Sequence, residues 1–299
     1  MALVKQLGKE ELFAQGHRGC AGCGETIATR LLGKAIGKDM IVITATGCLE
    51  IISSVYPQTA WRVPWFHVAF ENAAAVASGV EAALKAQMRK GKRLPEKIHV
   101  IGLAGDGGTY DIGLQALSGA LEREHDFLFV CFDNEAYMNT GIQRSGSTPY
   151  GAWTTTTPPG KCSIGEDHWK KNLPAIVAAH NIPYVATACI TYPLDLVSKL
   201  RKGAAVNGPA YVQVLTPCPT GWRFDSNLTI EVGRLAVQTG YYPLYEIEDG
   251  KLHVTIKIPE RKPVIEFLKV QGRFRHLKEK EIANFQRFVD AQCKQLGIP

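Results

Sequence analysis

The chain has 299 residues, 45% of them hydrophobic, and a net charge of +6, enough apolar material for one large α/β domain or two smaller ones. No apolar run reaches the roughly 18 residues of a membrane span, which excludes a transmembrane helix. The opening MALVKQLGKEELF lacks the charged, apolar, small-residue order of a signal peptide, so a cytoplasmic location and no membrane partner are expected. Eight cysteines in such a chain point to metal or redox chemistry more than to disulfides. Basic residues concentrate in 85–97 and 257–280. They read as solvated faces or a docking surface for an acidic partner such as a small electron carrier. No aromatic-interleaved basic motif accompanies them, so no nucleic-acid partner is expected.

Residues 1–16 read as an N-terminal arm. HRGCAGCGE follows, with Cys20 and Cys23 in a glycine-bracketed C-x-x-C and a helix expected over 26–36. A helix start offers free N–H groups and positive potential, which favour thiolate and phosphate. This pair fits half a zinc site or half an iron–sulfur site, and a dithiol redox pair less well, because no thioredoxin-like context surrounds it. A short apolar strand over 41–45 runs into Thr46-Gly47-Cys48. The aromatic, proline-broken stretch 61–70 leads into another strand. Its His67, beside an apolar run, reads as a satisfied core histidine before a ligand. Glu71-Asn72 opens a helix of small residues over 73–84.

The segment 97–143 organises the chain. An apolar strand over 98–104 ends in Gly105-Asp106-Gly107-Gly108. A helix follows, with Ile112, Leu114, Leu117 and Leu121 as its apolar side. A second strand over 127–132 breaks at Asp133-Asn134. In a strand–helix–strand unit the two strand ends lie side by side, and open α/β sheets bind ligands beyond those ends. Glycines admit a diphosphate close to the backbone. Asp106, the amide oxygen of Asn134 and a nearby main-chain carbonyl are hard oxygen ligands of the kind Mg²⁺ takes. GDG followed by Asn at this distance resembles the thiamine-diphosphate motif.

Beyond it, the loop 136–151 carries Tyr137, Asn139, Thr140, Gln143 and Arg144 and should border a bound cofactor. The Thr-, Pro- and Gly-rich segment 152–171 is long for a connection and is expected to cover the site or meet another subunit. Helices are expected over 173–180 and 193–201, and strands over 182–187 and 209–215. Cys218 stands between Pro217 and Pro219, stiffly held, as a metal ligand should be. A helix over 231–238, a hairpin of 244–248 and 252–256 around Asp249-Gly250, and helical stretches at 265–268 and 279–295 complete the chain.

Cys20, Cys23, Cys48 and Cys218 each lie near a strand end or helix start. In a doubly wound sheet these places converge on one rim, where four thiolates bind zinc or a 4Fe–4S cluster; their spacing leaves that choice open. Cys131, Cys162, Cys189 and Cys293 read as fillers or bystanders.

HRGCAGCGE, ATGCLE, WRVPWFHVAFENAAA, GDGGTYDIG, DNEAYMNTGIQRSGSTP and PCPTGWRF together resemble the β subunits of the pyruvate:ferredoxin oxidoreductase (pyruvate synthase) family, over about residues 17–245. The resemblance implies a doubly wound, mostly parallel α/β sheet of the thiamine-diphosphate-binding fold. On this reading 17–240 is the cofactor and iron–sulfur domain, and 241–299 is a C-terminal hairpin and helical extension meeting another subunit. It implies thiamine diphosphate, Mg²⁺ and one 4Fe–4S cluster. By motif, Cys20, Cys23, Cys48 and Cys218 are similar to the cluster ligands, and Asp106, Asn134 and the carbonyl of Ala136 to the Mg²⁺ ligands. Glu25, Cys48, Gly105, Gly107, Gly108 and the run Asn134, Glu135, Ala136, Tyr137, Met138 and Asn139 are similar to the cofactor contacts, with Asn139 beside the reacting centre. The implied reaction is oxidative decarboxylation of pyruvate with coenzyme A, electrons passing to ferredoxin; oxalate, 2-oxobutyrate and branched 2-oxoacids are alternative substrates. An α subunit is expected to supply the Glu that activates the cofactor, Glu50 and Glu71 being this chain's own candidates, alongside γ and ferredoxin-like δ subunits. The competing readings are a non-redox thiamine-dependent decarboxylase with structural zinc, and an electron-transfer or scaffolding subunit with a vestigial thiamine site.

Overall fold

The computed structural model describes residues 7–55, 57–92 and 97–299. The first six residues of the expected arm and 93–96 of the first basic stretch lie outside them. In chain order the strands are β1 (Met40–Ala45), the short pair β2 (Ser54–Val55) and β3 (Gln58–Thr59), β4 (Trp65–Val68), β5 (His99–Gly105), β6 (Leu128–Asp133), β7 (Tyr184–Cys189), β8 (Ala210–Leu215), β9 (Tyr245–Glu248) and β10 (Lys251–Val254). Eight of them form one sheet in the order β10-β9-β7-β8-β6-β5-β1-β4. From β4 to β7 every pairing is parallel, and β9 and β10 close that end antiparallel.

Strands β6, β7 and β8 are buried along their whole length, as continuous apolar runs dictate when both faces are covered. Alternate side chains feed two cores. Ile101, Leu103 and Val130 face one with Leu32, Leu196 and Val289; Val100, Phe129 and Cys131 face the other with Ala77, Leu117 and Val177. This is the doubly wound α/β arrangement the sequence implies. Small residues let the helix Ala73–Arg89 lie close: a Cβ on Gly102 would stand 2.9 Å from the Phe129 ring and 3.6 Å from Ala77.

Several local expectations shift. The helix expected over 112–121 is Leu114–Glu122, preceded by a π-helical turn at Gly107–Asp111, and Ile112, read as part of its apolar side, is 53% exposed. Cys48 opens a six-residue helix, Cys48–Ser53, too short for periodicity to reveal. Cys189 ends β7 where a filler after a strand was expected. The hairpin forms at Asp249 (φ 46°) and Gly250 (φ 76°), and its β9 pairs with β7, so it extends the sheet. Residues 241–299 share the larger core through Phe267, Phe285, Val289 and Cys293.

Candidate functional site

Register creates the site. Gly105 of β5 lies opposite Phe132 of β6, and Asp133 opposite Leu215 of β8. Asp106, Asn134 and the loop holding Cys218 therefore emerge along one edge, as do Thr46 and Cys48 after β1. They border a cleft of about 320 Å³ whose walls include Glu25, Cys48, Asp106, Asn134, Tyr137 and Asn139. Gly105, Gly107, Gly108, Ala136 and Met138 line it too. Gly107 is glycine for space: a Cβ there would come within 2.5 Å of the Tyr137 ring. The Tyr137 hydroxyl lies 3.1 Å from Asp111 Oδ2 and 3.3 Å from the Gly107 carbonyl, tying the loops after β5 and β6 together.

Asp106 and Asn134 are both buried. The Ser145 hydroxyl donates to Asp106 Oδ2. Burial first, then Asp133, pushes the Asp106 carboxyl well above the ordinary range, opposed by Ser145. Asn134 Nδ2 donates to Glu25 Oε1 at 2.6 Å, which turns its amide oxygen the other way. That Oδ1 is buried and meets no donor among the described residues. A buried acceptor without a donor costs about 1–3 kcal/mol. An orphaned carbonyl-type oxygen and a carboxylate pushed toward neutrality on one wall are a donor set suited to a hard cation.

The loop 133–135 is braced from behind. Glu135 sits in the left-handed region (φ 68°) and its carboxylate turns away from the cleft. It accepts from Lys170 Nζ (3.0 Å), Arg273 Nη2 (2.6 Å) and the Tyr241 hydroxyl. Burial acts to raise its carboxyl, but Lys170 and Arg273 outweigh it and hold Glu135 below the usual range. Lys170 also reaches Asp133 Oδ2 at 2.6 Å. Arg273 lies over the Trp222 ring, 3.9 Å from its centroid, and Trp222 Nε1 donates to the Asn134 carbonyl at 2.7 Å. So Glu135, grouped by motif with the cofactor contacts, does not reach the cleft with its side chain. Lys170, Trp222 and Arg273 brace Asn134 and the residues either side of it, and Ser145 holds Asp106; the sequence singles out none of the four. The segment 152–171 contributes Lys170 to this frame and no residue to the cleft wall; its Trp169 stacks on Phe288 of the last helix.

The cysteine loops meet across the chain. Gly24 N donates to the Pro217 carbonyl (3.3 Å), and Thr229 Oγ1 to the Gly22 carbonyl (2.7 Å). A Cβ on Gly24 would stand 2.8 Å from the Thr216 carbonyl carbon. Cys48 lies within electrostatic reach of Glu25, Cys218, Cys23 and Cys20. Burial, then Glu25, pushes the Cys23 thiol up to about 12; burial lifts Cys218 to about 11. Thiols so placed ionise only around a positive occupant. Among the described residues no three of these sulfurs lie within 4.8 Å of one another.

Glu25, pushed up to about 7 by burial against the Asn134 bond, joins the cysteine wall to the Asp106 wall. Glu50 and Glu71 are not on the cleft wall. His67, read as a core histidine, is exposed on the edge strand β4. Of the remaining cysteines, Cys131, Cys189 and Cys293 are buried and Cys162 is exposed.

Residues 45–214 match the family described as thiamine pyrophosphate enzyme, C-terminal TPP binding domain. The chain is 59% identical over 297 residues to pyruvate synthase subunit PorB of Methanocaldococcus jannaschii, covering 99% of this chain and 100% of that one. It is 51% identical to pyruvate synthase subunit PorB of Pyrococcus furiosus over 96% of this chain and 94% of that one. It is also 50% identical to ketoisovalerate oxidoreductase subunit VorB of the same organism, covering 96% and 93%. Among solved structures, a chain of the 2-oxoglutarate:ferredoxin oxidoreductase from Magnetococcus marinus shares the fold, with a TM-score of 0.59 at 18% identity over 100% of this chain and 92% of that one.

Proposed function

We infer what this geometry does from one premise: the chain belongs to the thiamine pyrophosphate enzymes and, among them, to the pyruvate synthase PorB subunits. It is a subunit of a multi-subunit, thiamine-diphosphate-dependent 2-oxoacid oxidoreductase that decarboxylates its substrate oxidatively. The substrate is read as pyruvate, with coenzyme A as acyl acceptor, ferredoxin as electron acceptor, and synthesis as the reverse direction. When bound, thiamine diphosphate supplies the electron sink that decarboxylation of a 2-oxoacid requires.

The observation that carries the site assignment is the orphaned Asn134 Oδ1 on the same wall as buried Asp106. With the Ala136 carbonyl, these two would hold Mg²⁺. Gly105, Gly107 and Gly108 leave room for a diphosphate, and Tyr137, Met138 and Asn139 wall the cofactor, Asn139 toward the substrate. Cys20, Cys23, Cys48 and Cys218 would hold one 4Fe–4S cluster. The two buried carboxylates on the cleft wall are engaged, Asp106 by Ser145 and Glu25 by Asn134. From the family resemblance, a partner α subunit is read as supplying the Glu that activates the pyrimidine, with γ and ferredoxin-like δ subunits completing the complex.

The test is the native complex purified without oxygen. It should be brown and reduce a low-potential dye in the presence of pyruvate, coenzyme A, thiamine diphosphate and Mg²⁺. A colourless protein with stoichiometric zinc and no dye reduction would refute the redox reading. The VorB relatives favour one second reading, a branched 2-oxoacid as substrate. A higher kcat/KM on 3-methyl-2-oxobutanoate than on pyruvate would install it.

A further inference from the structure

Met138 joins the cleft to the loop of Cys218. Its side chain lines the cleft beside Tyr137 and Asn139 and packs, partly buried, against the larger core, as Cys218 does. The two meet at Gly221. A Cβ built on Gly221 would stand 2.1 Å from Met138 Sδ, 2.5 Å from Met138 Cε and 3.6 Å from Cys218 Sγ. Gly221 lies in the helical turn Pro219–Trp222, outside the left-handed region, so its backbone does not require glycine. The methionine thioether occupies the space where a side chain would begin. Gly221 N donates to Cys218 Sγ at 3.4 Å. The same turn is tied to the loop after β6 a second time, by Trp222 Nε1 on the Asn134 carbonyl. Gly141 N donates to the Met138 carbonyl at 3.3 Å, which fixes the backbone from which Met138 projects. Met138 is on the cleft wall and Cys218 is not, so the thioether stands on the cleft side of that sulfur.

The potential of an iron–sulfur cluster depends on the hydrogen bonds to its sulfurs and on its exposure to solvent. Reduction adds negative charge to a group already held by thiolates, and water stabilises added charge better than an apolar side chain does. Water at the sulfur therefore raises the potential, and a thioether in its place keeps it low. Methionine, unbranched and polarisable, suits an irregular gap of this kind. Resting on the function read above, we propose that Met138 is a positioning residue for electron transfer. It seals the Cys218 sulfur from water in the cleft and so keeps the cluster's potential low enough to pass electrons to a low-potential carrier. Gly221 is the seat that admits it. Both residues act through the Cys218 sulfur and the hydrogen bond it accepts.

The test uses the whole complex purified without oxygen, saturated with thiamine diphosphate and Mg²⁺ and given no 2-oxoacid. It is titrated with low-potential dyes while visible absorption and the low-temperature EPR signal are followed. The component missing from a Cys218→Ser preparation identifies this cluster among any others. Met138→Ala should raise its midpoint, so that at a fixed dye potential the reduced-to-oxidised ratio is about tenfold higher than in the parent, at the lower end of what changes just outside a ligand shell cause. Met138→Leu conserves the volume and should stay within about twofold of the parent. Gly221→Ala, whose methyl displaces the thioether, should shift the ratio in the same direction as Met138→Ala. With both substitutions together the new methyl stands 3.6 Å from Cys218 Sγ, an ordinary contact, and the two shifts should not add. An unchanged or lowered midpoint in Met138→Ala, a Met138→Leu shift as large as that of Met138→Ala, or additive shifts in the double variant would overturn the proposal. A parent complex with no titrating component lost on Cys218→Ser would instead overturn the cluster assignment on which it rests.

Discussion

The wall behind Asn134 and the cysteine loops, which reach the same cleft at Cys48, are held in different ways. The first is a finished structure. Asp133, Glu135, Lys170 and Arg273 form a buried ionic frame, to which Trp222 and Tyr241 donate further hydrogen bonds. The second is joined by hydrogen bonds between loops, and burial first, with Glu25 beside them, pushes the thiols of Cys23, Cys48 and Cys218 up. A protein-built frame is in place before any cofactor arrives. A wall of neutral thiols gains its cohesion from the group it binds. Asn134 Oδ1, buried and without a donor among the described residues, marks where that wall too expects an occupant.

The largest effects should separate the two walls. Asp106→Ala is expected to weaken thiamine diphosphate and Mg²⁺ binding by at least about 100-fold, in line with the loss of a metal ligand and its bonds, while the visible spectrum of the cluster persists. Cys218→Ser should do the opposite, sparing cofactor affinity and costing the cluster. Cofactor titration and absorption on the same two preparations check both; parallel losses in each variant would mean that the walls are one unit.

Arg273→Met tests whether the frame is as integral as its geometry implies. It leaves Glu135 buried with Lys170 as its one remaining cation, and breaking such a pair costs about 3–5 kcal/mol. Thermal or urea unfolding should fall accordingly, toward the lower end because Lys170 stays. Cofactor affinity should fall with it, since Arg273 also packs on the Trp222 that holds Asn134.

Glu25 bridges the walls and gives a pH signature. Burial pushes its carboxyl up to about 7 in the folded chain, against an ordinary 4.5. The folded state therefore binds the proton more tightly than the unfolded state. The stability this contributes is present below pH 4.5 and is lost as pH rises through about 7, an amount of about 3 kcal/mol. Unfolding of the cofactor-free chain at several pH values should show Glu25→Gln flattening that fall. The smallest effect is expected from Gly107→Ala, whose methyl must displace the Tyr137 ring; overpacking of this kind costs about 1–3 kcal/mol, read as weaker cofactor binding with the cluster intact.

Much of the site is legible in the residues themselves. Gly105 to Gly108 and Asn134 announce a diphosphate and metal site because apolar strands that stop at glycine, aspartate and asparagine have few alternative uses. The four cysteines are legible as a group only once a parallel sheet is assumed, since that architecture brings distant strand ends to one rim. Glu135 travels with the motif, but a motif records which residues occur together and not which way a side chain turns. Its left-handed backbone aims it into the interior.

What the sequence determined by itself is local and periodic: the alternation of strands and helices, the hairpin at Asp249-Gly250, and the oxygen- and sulfur-bearing residues at strand ends. Those follow from backbone sterics and from apolar residues seeking burial. Only the tertiary structure decided that Arg273, 139 positions beyond Asn134, braces the loop holding that ligand, and that His67 faces outward beside Glu50. Such pairings depend on the order of strands in the sheet and on which buried charge finds which countercharge, and neither leaves a periodic mark in the chain.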